Sequence, residues 1–274
     1  MRPAPHRTTG RMHGLAVIAV AMLLTGCATT GNPQDPLEGY NRTVFRFNDA
    51  VDRAVLKPTA TAYKNVTPGF VQTGVNNFFG NLSDAWSAVN NLLQGKGEAG
   101  MGDLTRVTLN STFGILGLLD IASEAGIQKH NEDFGQTLGV WGVPSGPFLM
   151  LPILGPSTVR DTAALPADIG GDIWKYKRPD NWRNIGAAVR VVDKRATLLD
   201  AGNLLEEAAL DRYEFIRDGY MQRRQSQVYD GNVPRQADDD ADEATSNAEP
   251  AADPAGKGTA KPSETEATDK PALN

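Results

Sequence analysis

Histidine and serine side chains could support acyl-transfer chemistry, in which a histidine base activates a serine nucleophile. His130 is the one histidine after residue 27, and it lies close to Glu132 in the sequence. Residues 142–146 read GVPSG, so Ser145 stands one place too late for the G-x-S-x-G elbow, and no strand pattern precedes it. A lipase built on Ser145 and His130 is therefore the weakest hypothesis, and we expect His130 to lie in a solvated turn.

Metal and cofactor chemistry finds little support in the residue pattern. One cysteine and three histidines exclude a disulfide framework and a Cys/His zinc cluster. Asp161, Asp168 and Asp172 could form a carboxylate site, but the proline and glycine spacing gives them no shared face, which favours capping or ion pairing. The sequence also lacks a P-loop, a dinucleotide fingerprint after a strand and an H-E-x-x-H motif. It predicts no cofactor, no metal and no enzyme.

Cys27 is the residue with the clearest chemical role, as a site of lipid attachment. A basic start precedes an apolar run at 15–24, which is too short to span a bilayer and is typical of a signal peptide. The run ends in LTGC, which resembles a lipobox. We expect a signal peptide at 1–26 and acyl chains on Cys27, since two or three chains anchor a protein stably where one does not. Ala28, in place of an aspartate, favours the outer membrane; a secretory signal with a chance thiol is the alternative.

The end of the chain differs in composition from the rest. Residues 231–274 contain no aromatic side chain and carry ten acids against four bases, so we expect a disordered acidic tail. Removing this tail (−6) and the signal (+3) from the total of −6 leaves −3 on residues 28–230. Because binding nucleic acid requires a basic excess to neutralise phosphates, no nucleic-acid partner is expected.

The remaining body, 27–230, has helical periodicity and is predicted to be all-α. Apolar residues recur at helical spacing from Tyr40 to Val55, with Asp35 placed to cap this helix and Pro58 to end it. No alternating run is long enough to indicate a strand. Further helices are predicted between Pro68 and Gly95, over 98–112 and 115–125, and from 185 to 220.

Residues 134–159 contain no charged side chain, but their glycines and prolines forbid a straight membrane-spanning helix. Two interpretations remain open. One is a loop-rich connection buried in the core. The other is a segment at a membrane interface, with Trp141 at the level of the headgroups and a set of apolar side chains facing the acyl chains, namely Phe148, Leu149, Met150, Leu151, Ile153 and Leu154.

A series of short motifs runs in order through the body. They are DPLEGYNR at 35–42, FN at 47–48, KP at 57–58, NFFGNL at 77–82, NNLLQG at 90–95, NST at 110–112, DFGQTLG at 133–139 and GPF at 146–148. In these motifs the chain resembles the MlaA/VacJ family of outer-membrane lipoproteins. The resemblance extends from about residue 35 to 172 and weakens after 180.

The resemblance implies a fold and a function. The fold would be a ring of amphipathic helices lying in the outer membrane around a central channel, beside a trimeric porin. The protein would remove mislocalised phospholipids from the outer leaflet and pass them to a periplasmic carrier similar to MlaC, without hydrolysing them. The alternative is a lipid-anchored scaffold that binds a porin or another envelope partner and moves no lipid.

The resemblance also suggests residue roles. Cys27 would be the acylated anchor. Phe47 and Asn48 would lie near the channel or its gate, or else serve helix packing and present a surface amide. Several asparagines on apolar segments would either face lipid headgroups or cap helices: Asn77, Asn81, Asn90 and Asn110.

Overall fold

A computed structural model describes residues 35–234. The predictions on the signal peptide, on Cys27 and on the tail from residue 235 onward lie outside the described residues. Within them the chain forms ten α-helices, a π-helical turn (Asp52–Leu56), a 3-10 turn (Ile173–Tyr176) and one hairpin. In chain order these are α1 (Glu38–Val51), α2 (Lys57–Val66), α3 (Gly69–Leu93), α4 (Gly97–Thr112), α5 (Ile121–Glu124), α6 (Phe134–Val140), β1 (Phe148–Leu151), β2 (Gly155–Thr158), α7 (Val159–Gly171), α8 (Asp180–Thr197), α9 (Leu199–Ala208) and α10 (Arg212–Val228).

The mostly helical prediction is confirmed, with the hairpin as a correction. Strands β1 and β2 pair in antiparallel register, with Phe148 opposite Thr158 and Leu151 opposite Gly155. Each strand has only four residues, too few for an alternating pattern to be distinguished in the sequence. Positive φ angles at Ile153 (67°) and Gly155 (89°) turn the chain between them.

Helix α1 differs from the prediction at both ends. Asp35 is not its N-cap; it is fully buried and accepts hydrogen bonds from Asn41 Nδ2 at 2.8 Å and from the hydroxyl of Tyr213. Pro58 does not end the helical path, because it directly follows the π-helical turn and falls in the first turn of α2, a position that tolerates proline. The path ends at Thr67, which has an extended backbone.

The predicted helix at 115–125 forms only at Ile121–Glu124. Ile115, Leu116 and Gly117 have φ angles of 54°, 58° and 91°, which a right-handed helix excludes. This conformation is held in part by backbone bonds, among them Gly117 N–H to Asn110 O at 2.8 Å. Residues 113–119 therefore form a loop, named loop 113–119 below.

The apolar core is divided and small. One cluster joins Val44 of α1, Phe148 and Met150 of β1 and Tyr213 of α10. Another joins Ala60, Ala196 and Leu199, from α2, α8 and α9. None of the helices in the described range combines the length and apolarity needed to cross a membrane.

Candidate functional site

Two irregular segments expose large apolar side chains. In loop 113–119, the side chains of Phe113, Ile115 and Leu116 are 68%, 63% and 71% exposed. In the hairpin turn 152–154, Ile153 and Leu154 are 72% and 67% exposed. Exposed apolar residues grouped in this way indicate an interaction surface, since isolated ones would need no explanation.

The hairpin is held to α1 by two asparagine side chains, and one of them, Asn48, was predicted either to lie near the channel or its gate or to present a surface amide. Asn48 Nδ2 donates to Leu151 O at 2.9 Å, and Asn48 Oδ1 accepts from Ile153 N–H at 2.7 Å. Two helical turns earlier, the buried side chain of Asn41 donates to Phe148 O at 3.1 Å and accepts from Met150 N–H at 2.8 Å. The two amides thus pair with backbone groups along β1 and just after it. Asn41 was not predicted as a functional residue, because no spacing rule connects it to the hairpin.

Three of the predicted asparagines meet around loop 113–119. Asn77 Nδ2 donates to Leu118 O at 3.1 Å. Asn81 is buried and donates to Ser111 Oγ at 3.0 Å. A Cβ atom at position 117 would lie only 2.7 Å from Nδ2 of Asn81, so this position requires glycine. Asn110 Oδ1 accepts from Ala122 N–H at 2.9 Å. The Asn110 contact caps a helix end as predicted, because Ala122 lies in the first turn of α5. Asn77 and Asn81 cap no helix, and their contacts fix the loop.

Loop 113–119 leads into an acidic residue that is bound by a buried cation. Arg106 is fully buried, and its guanidinium binds both carboxylate oxygens of Asp120 at 2.9 and 3.0 Å. It also binds Asp84 Oδ2 at 3.1 Å. Burial raises the pKa of Asp120, but hydrogen bonds from Ser123, Asn110 and Arg106 together outweigh it and lower the pKa to about 2. Asp120 is therefore a carboxylate at neutral pH.

The structure separates the residues predicted for the membrane interface. Phe148 and Met150 are 0% and 1% exposed, so the expectation that they face acyl chains is wrong. They alternate along β1 with Leu149 and Leu151, which are half-buried. The burial follows from the two-residue period of a strand, in which alternate side chains point to opposite faces.

Trp141 lies at the surface, 54% exposed, at the end of α6. Its indole N–H donates to Leu93 O at 3.1 Å, which places the ring beside the exposed end of α3, where Leu92 and Leu93 are 47% and 43% exposed. Phe47 is half exposed on α1, next to Asn48. These side chains remain available to a ligand or a membrane.

The residues considered for hydrolysis do not meet. His130 lies in the irregular segment 127–133 with its side chain 29% exposed, and its Nδ1 lies 3.0 Å from Oδ1 of Asp103, which is fully buried. No hydrogen bond connects His130 to Ser145 within residues 35–234; the Ser145 carbonyl accepts instead from Arg160 N–H at 3.1 Å. The structure therefore gives no support to a serine hydrolase at these positions.

The three aspartates considered for a carboxylate site have separate partners. Asp161 and Asp172 form ion pairs, as the sequence favoured, whereas Asp168 accepts from neutral donors. Asp161 pairs with Arg224 at 2.8 Å. Burial raises the pKa of Asp161, but Arg224 and Arg160 outweigh this effect, so the pKa is lowered overall. Asp168 accepts from Trp86 Nε1 at 2.9 Å, and burial raises its pKa. Asp172 caps the 3-10 turn and pairs with an arginine of α8. In the part of the chain that the structure describes, no group of three His, Cys, Asp or Glu side chains could hold a metal ion.

The fold places the chain in a class of known structure. It is similar to a solved structure described as "Structural basis for maintenance of bacterial outer membrane lipid asymmetry", with a TM-score of 0.63 and 36% identity, over 71% of this chain and 98% of that chain. A family model described as MlaA lipoprotein matches residues 33–227. The chain belongs to the MlaA lipoprotein family.

Curated relatives agree with this assignment. Lipoproteins of Shigella flexneri and Escherichia coli K12, both named "Intermembrane phospholipid transport system lipoprotein MlaA", are 36% identical over 211 residues, which cover 73% of this chain and 82% of each relative. The protein of that name from Haemophilus influenzae is 31% identical over 230 residues, covering 80% of this chain and 91% of the relative.

Proposed function

We propose that this chain is an outer-membrane lipoprotein that takes mislocalised phospholipids from the outer leaflet and passes them to a periplasmic carrier. The observation that carries the proposal is its membership of a family whose relatives are named for intermembrane phospholipid transport. Residues 27–230 form the lipid-handling domain in this proposal, and 231–274 form an acidic tail. A carrier similar to MlaC and a trimeric porin are the proposed protein partners.

The distribution of apolar side chains supports contact with lipid. Loop 113–119 and the hairpin turn 152–154 expose branched and aromatic side chains that water solvates poorly. Their backbone groups are bonded by asparagines and by each other, which is a requirement for irregular backbone near hydrocarbon. We propose that both segments enter the interface, and that Phe47, half exposed on α1, contacts lipid on its path.

The anchor would deliver the body to the membrane. Acylation of Cys27 would hold the domain at the inner leaflet of the outer membrane, where shallow insertion of the two segments adds contact area. Trp141 would lie at the headgroup level, because an indole that combines an apolar ring with a donor N–H prefers the interface.

The proposal is tested by measuring outer-leaflet phospholipid in a deletion strain with an outer-membrane acyltransferase reporter. We expect elevated surface phospholipid in the deletion strain, restored by the wild-type gene and not by Cys27→Ala. Ala28→Gly serves as the matched control, since it changes the neighbouring residue and leaves the thiol in place. Unchanged surface phospholipid on deletion would contradict transport, and porin capture by the same protein would then favour the scaffold.

A further inference from the structure

A cleft of about 760 Å³ lies between the end of α3, the start of α4, segment 127–132 and the chain after α10. Its walls contain none of the residues assigned above to lipid contact. Seven polar side chains contribute to the lining: Asn91, Lys96, Glu98, Gln128, His130, Glu132 and Asp230.

Asn91 is fully buried, and half of its amide has no partner. Its Nδ2 donates to Asp103 Oδ2 at 2.8 Å. An ionised carboxylate only accepts hydrogen bonds, so this contact fixes which end of the amide is the nitrogen. Asn91 Oδ1 is left without a hydrogen-bond donor in the structure. A buried acceptor in this state favours a ligand that donates.

His130 adds a second acceptor to the wall. Asp103 accepts from His130 through the backbone N–H at 3.4 Å and lies 3.0 Å from the ring Nδ1. In the neutral ring this pairing places the proton on Nδ1, and Nε2 then carries the lone pair. Asp103 thus orients both Asn91 and His130, and each keeps one acceptor atom that Asp103 does not use.

The charged side chains of the lining give an excess of negative charge. Lys96 Nζ lies 2.6 Å from Asp230 Oδ1 and 3.8 Å from Glu132 Oε1, so one ammonium is shared by two carboxylates. Glu98 is exposed at the rim and adds a third carboxylate. The cleft therefore presents more acceptors and more negative charge than its own lysine satisfies.

We propose that this cleft binds a primary ammonium group. Three N–H donors on one positive centre match Asn91 Oδ1, His130 Nε2 and the Glu132 carboxylate in number and type. A quaternary ammonium has the same charge but no N–H donor, so the cleft discriminates against it. The group could belong to an ethanolamine phospholipid headgroup or to a free amine, and the inference holds whether or not the protein transports lipid.

The test is an NMR titration of the full chain in maltoside micelles, followed through the imidazole ¹⁵N resonances of His130. Ethanolamine is the probe and choline the matched ligand of equal charge. We expect saturable shifts with ethanolamine and about tenfold weaker binding of choline, as for the loss of charge-assisted hydrogen bonds. Glu132→Gln and the rim variant Glu98→Gln should each weaken ethanolamine binding, whereas Glu124→Gln, an exposed acid outside the cleft, should not.

Dihexanoyl phosphatidylethanolamine and dihexanoyl phosphatidylcholine identify the source of the ammonium. Tighter binding of the ethanolamine lipid than of free ethanolamine assigns the cleft to a headgroup, and binding of ethanolamine alone assigns it to a free amine. Equal binding of ethanolamine and choline, no saturable shift, or indifference to both cleft variants would overturn the proposal. Glu98 is exposed, so its variant tests the cleft even where Glu132→Gln fails to fold.

Discussion

Asparagine side chains hold the backbone of the two apolar segments at the scale of single residues. Asn48 satisfies a carbonyl and an N–H of the hairpin, and Asn77 and Asn110 satisfy groups at the end of loop 113–119 and just beyond it. An asparagine amide carries one acceptor and two donors, so it can replace the neighbouring strand that an irregular segment lacks. These contacts let apolar side chains point outward while the backbone stays paired.

Replacing Asn48 with alanine should destabilise the protein. The variant loses the bonds to Leu151 O and Ile153 N–H, and we expect the free energy of unfolding to fall by about 1–3 kcal/mol. Chemical denaturation in micelles measures it. Asn232→Ala, at an exposed position after α10, is the control and should change the free energy by less than about 0.5 kcal/mol. Equal stabilities of the two variants would contradict the clamping role of Asn48.

Asp120 should make stability depend on pH in the acid range. Its pKa is lowered from 3.8 to about 2 in the folded state, because its hydrogen bonds outweigh the effect of burial. A lowered folded pKa means that the stabilisation is present above the unfolded value, near pH 4, and is lost as the pH falls toward 2. The difference in unfolding free energy between the wild type and Asp120→Asn should therefore shrink over this interval; a difference independent of pH would refute the assignment.

At the scale of elements, loop 113–119 has an unusual conformation. Ile115 and Leu116 both adopt left-handed backbone angles, which β-branched and bulky residues avoid, and Gly117 continues the turn. The angles keep Phe113, Ile115 and Leu116 at the surface, where they contribute nothing to the core. A strained loop that exposes its apolar side chains is consistent with a role in contacting lipid.

Acidic substitution in the loop should weaken membrane binding without unfolding the protein. Leu116→Asp removes an exposed apolar side chain and adds a charge that the interface disfavours, so the Cys27→Ala form should bind phospholipid vesicles several-fold less well. Vesicle co-sedimentation measures this. Leu210→Asp, at a fully exposed leucine in the link before α10, is the matched control. If both variants sediment like their parent, loop 113–119 does not insert.

At the scale of the whole molecule, ion pairs connect segments that are distant in sequence. Arg224 of α10 binds two aspartates, Asp133 just before α6 and Asp161 in α7. The side chains of Arg224 and Asp161 are both buried. Elsewhere Arg195 of α8 binds Asp52 of the π-helical turn at 2.7 Å. With two small apolar clusters, the body depends on such polar contacts for its tertiary arrangement.

Removing Arg224 should cost more than removing any exposed arginine. Arg224→Met leaves Asp161 buried without its main cation, and we expect a loss of about 3–5 kcal/mol in the free energy of unfolding. Arg223→Met, at the exposed neighbour, should be close to neutral, and Arg224→Lys should lie between the two. Denaturant titration of the three variants checks the order, and a neutral Arg224→Met would contradict it.

Local signals in the sequence predicted most of the helices and the family. Helices α1, α3, α4 and α8 follow apolar stripes and proline boundaries, which are local signals carried by residues three and four apart. The ordered motifs identified the MlaA lipoprotein family, since they depend on residue identity and order alone.

The hairpin and the asparagine side chains that hold it, Asn41 and Asn48, became evident only from the tertiary structure. Phe148 and Met150 were expected at a membrane interface, and they are buried because β1 packs against α1 and α10. The bond from Asn41 to Phe148 joins positions 107 residues apart, and that from Asn48 to Leu151 joins positions 103 apart. Local periodicity carries no information on partners at such separations, so folding had to bring them together before their roles could be assigned.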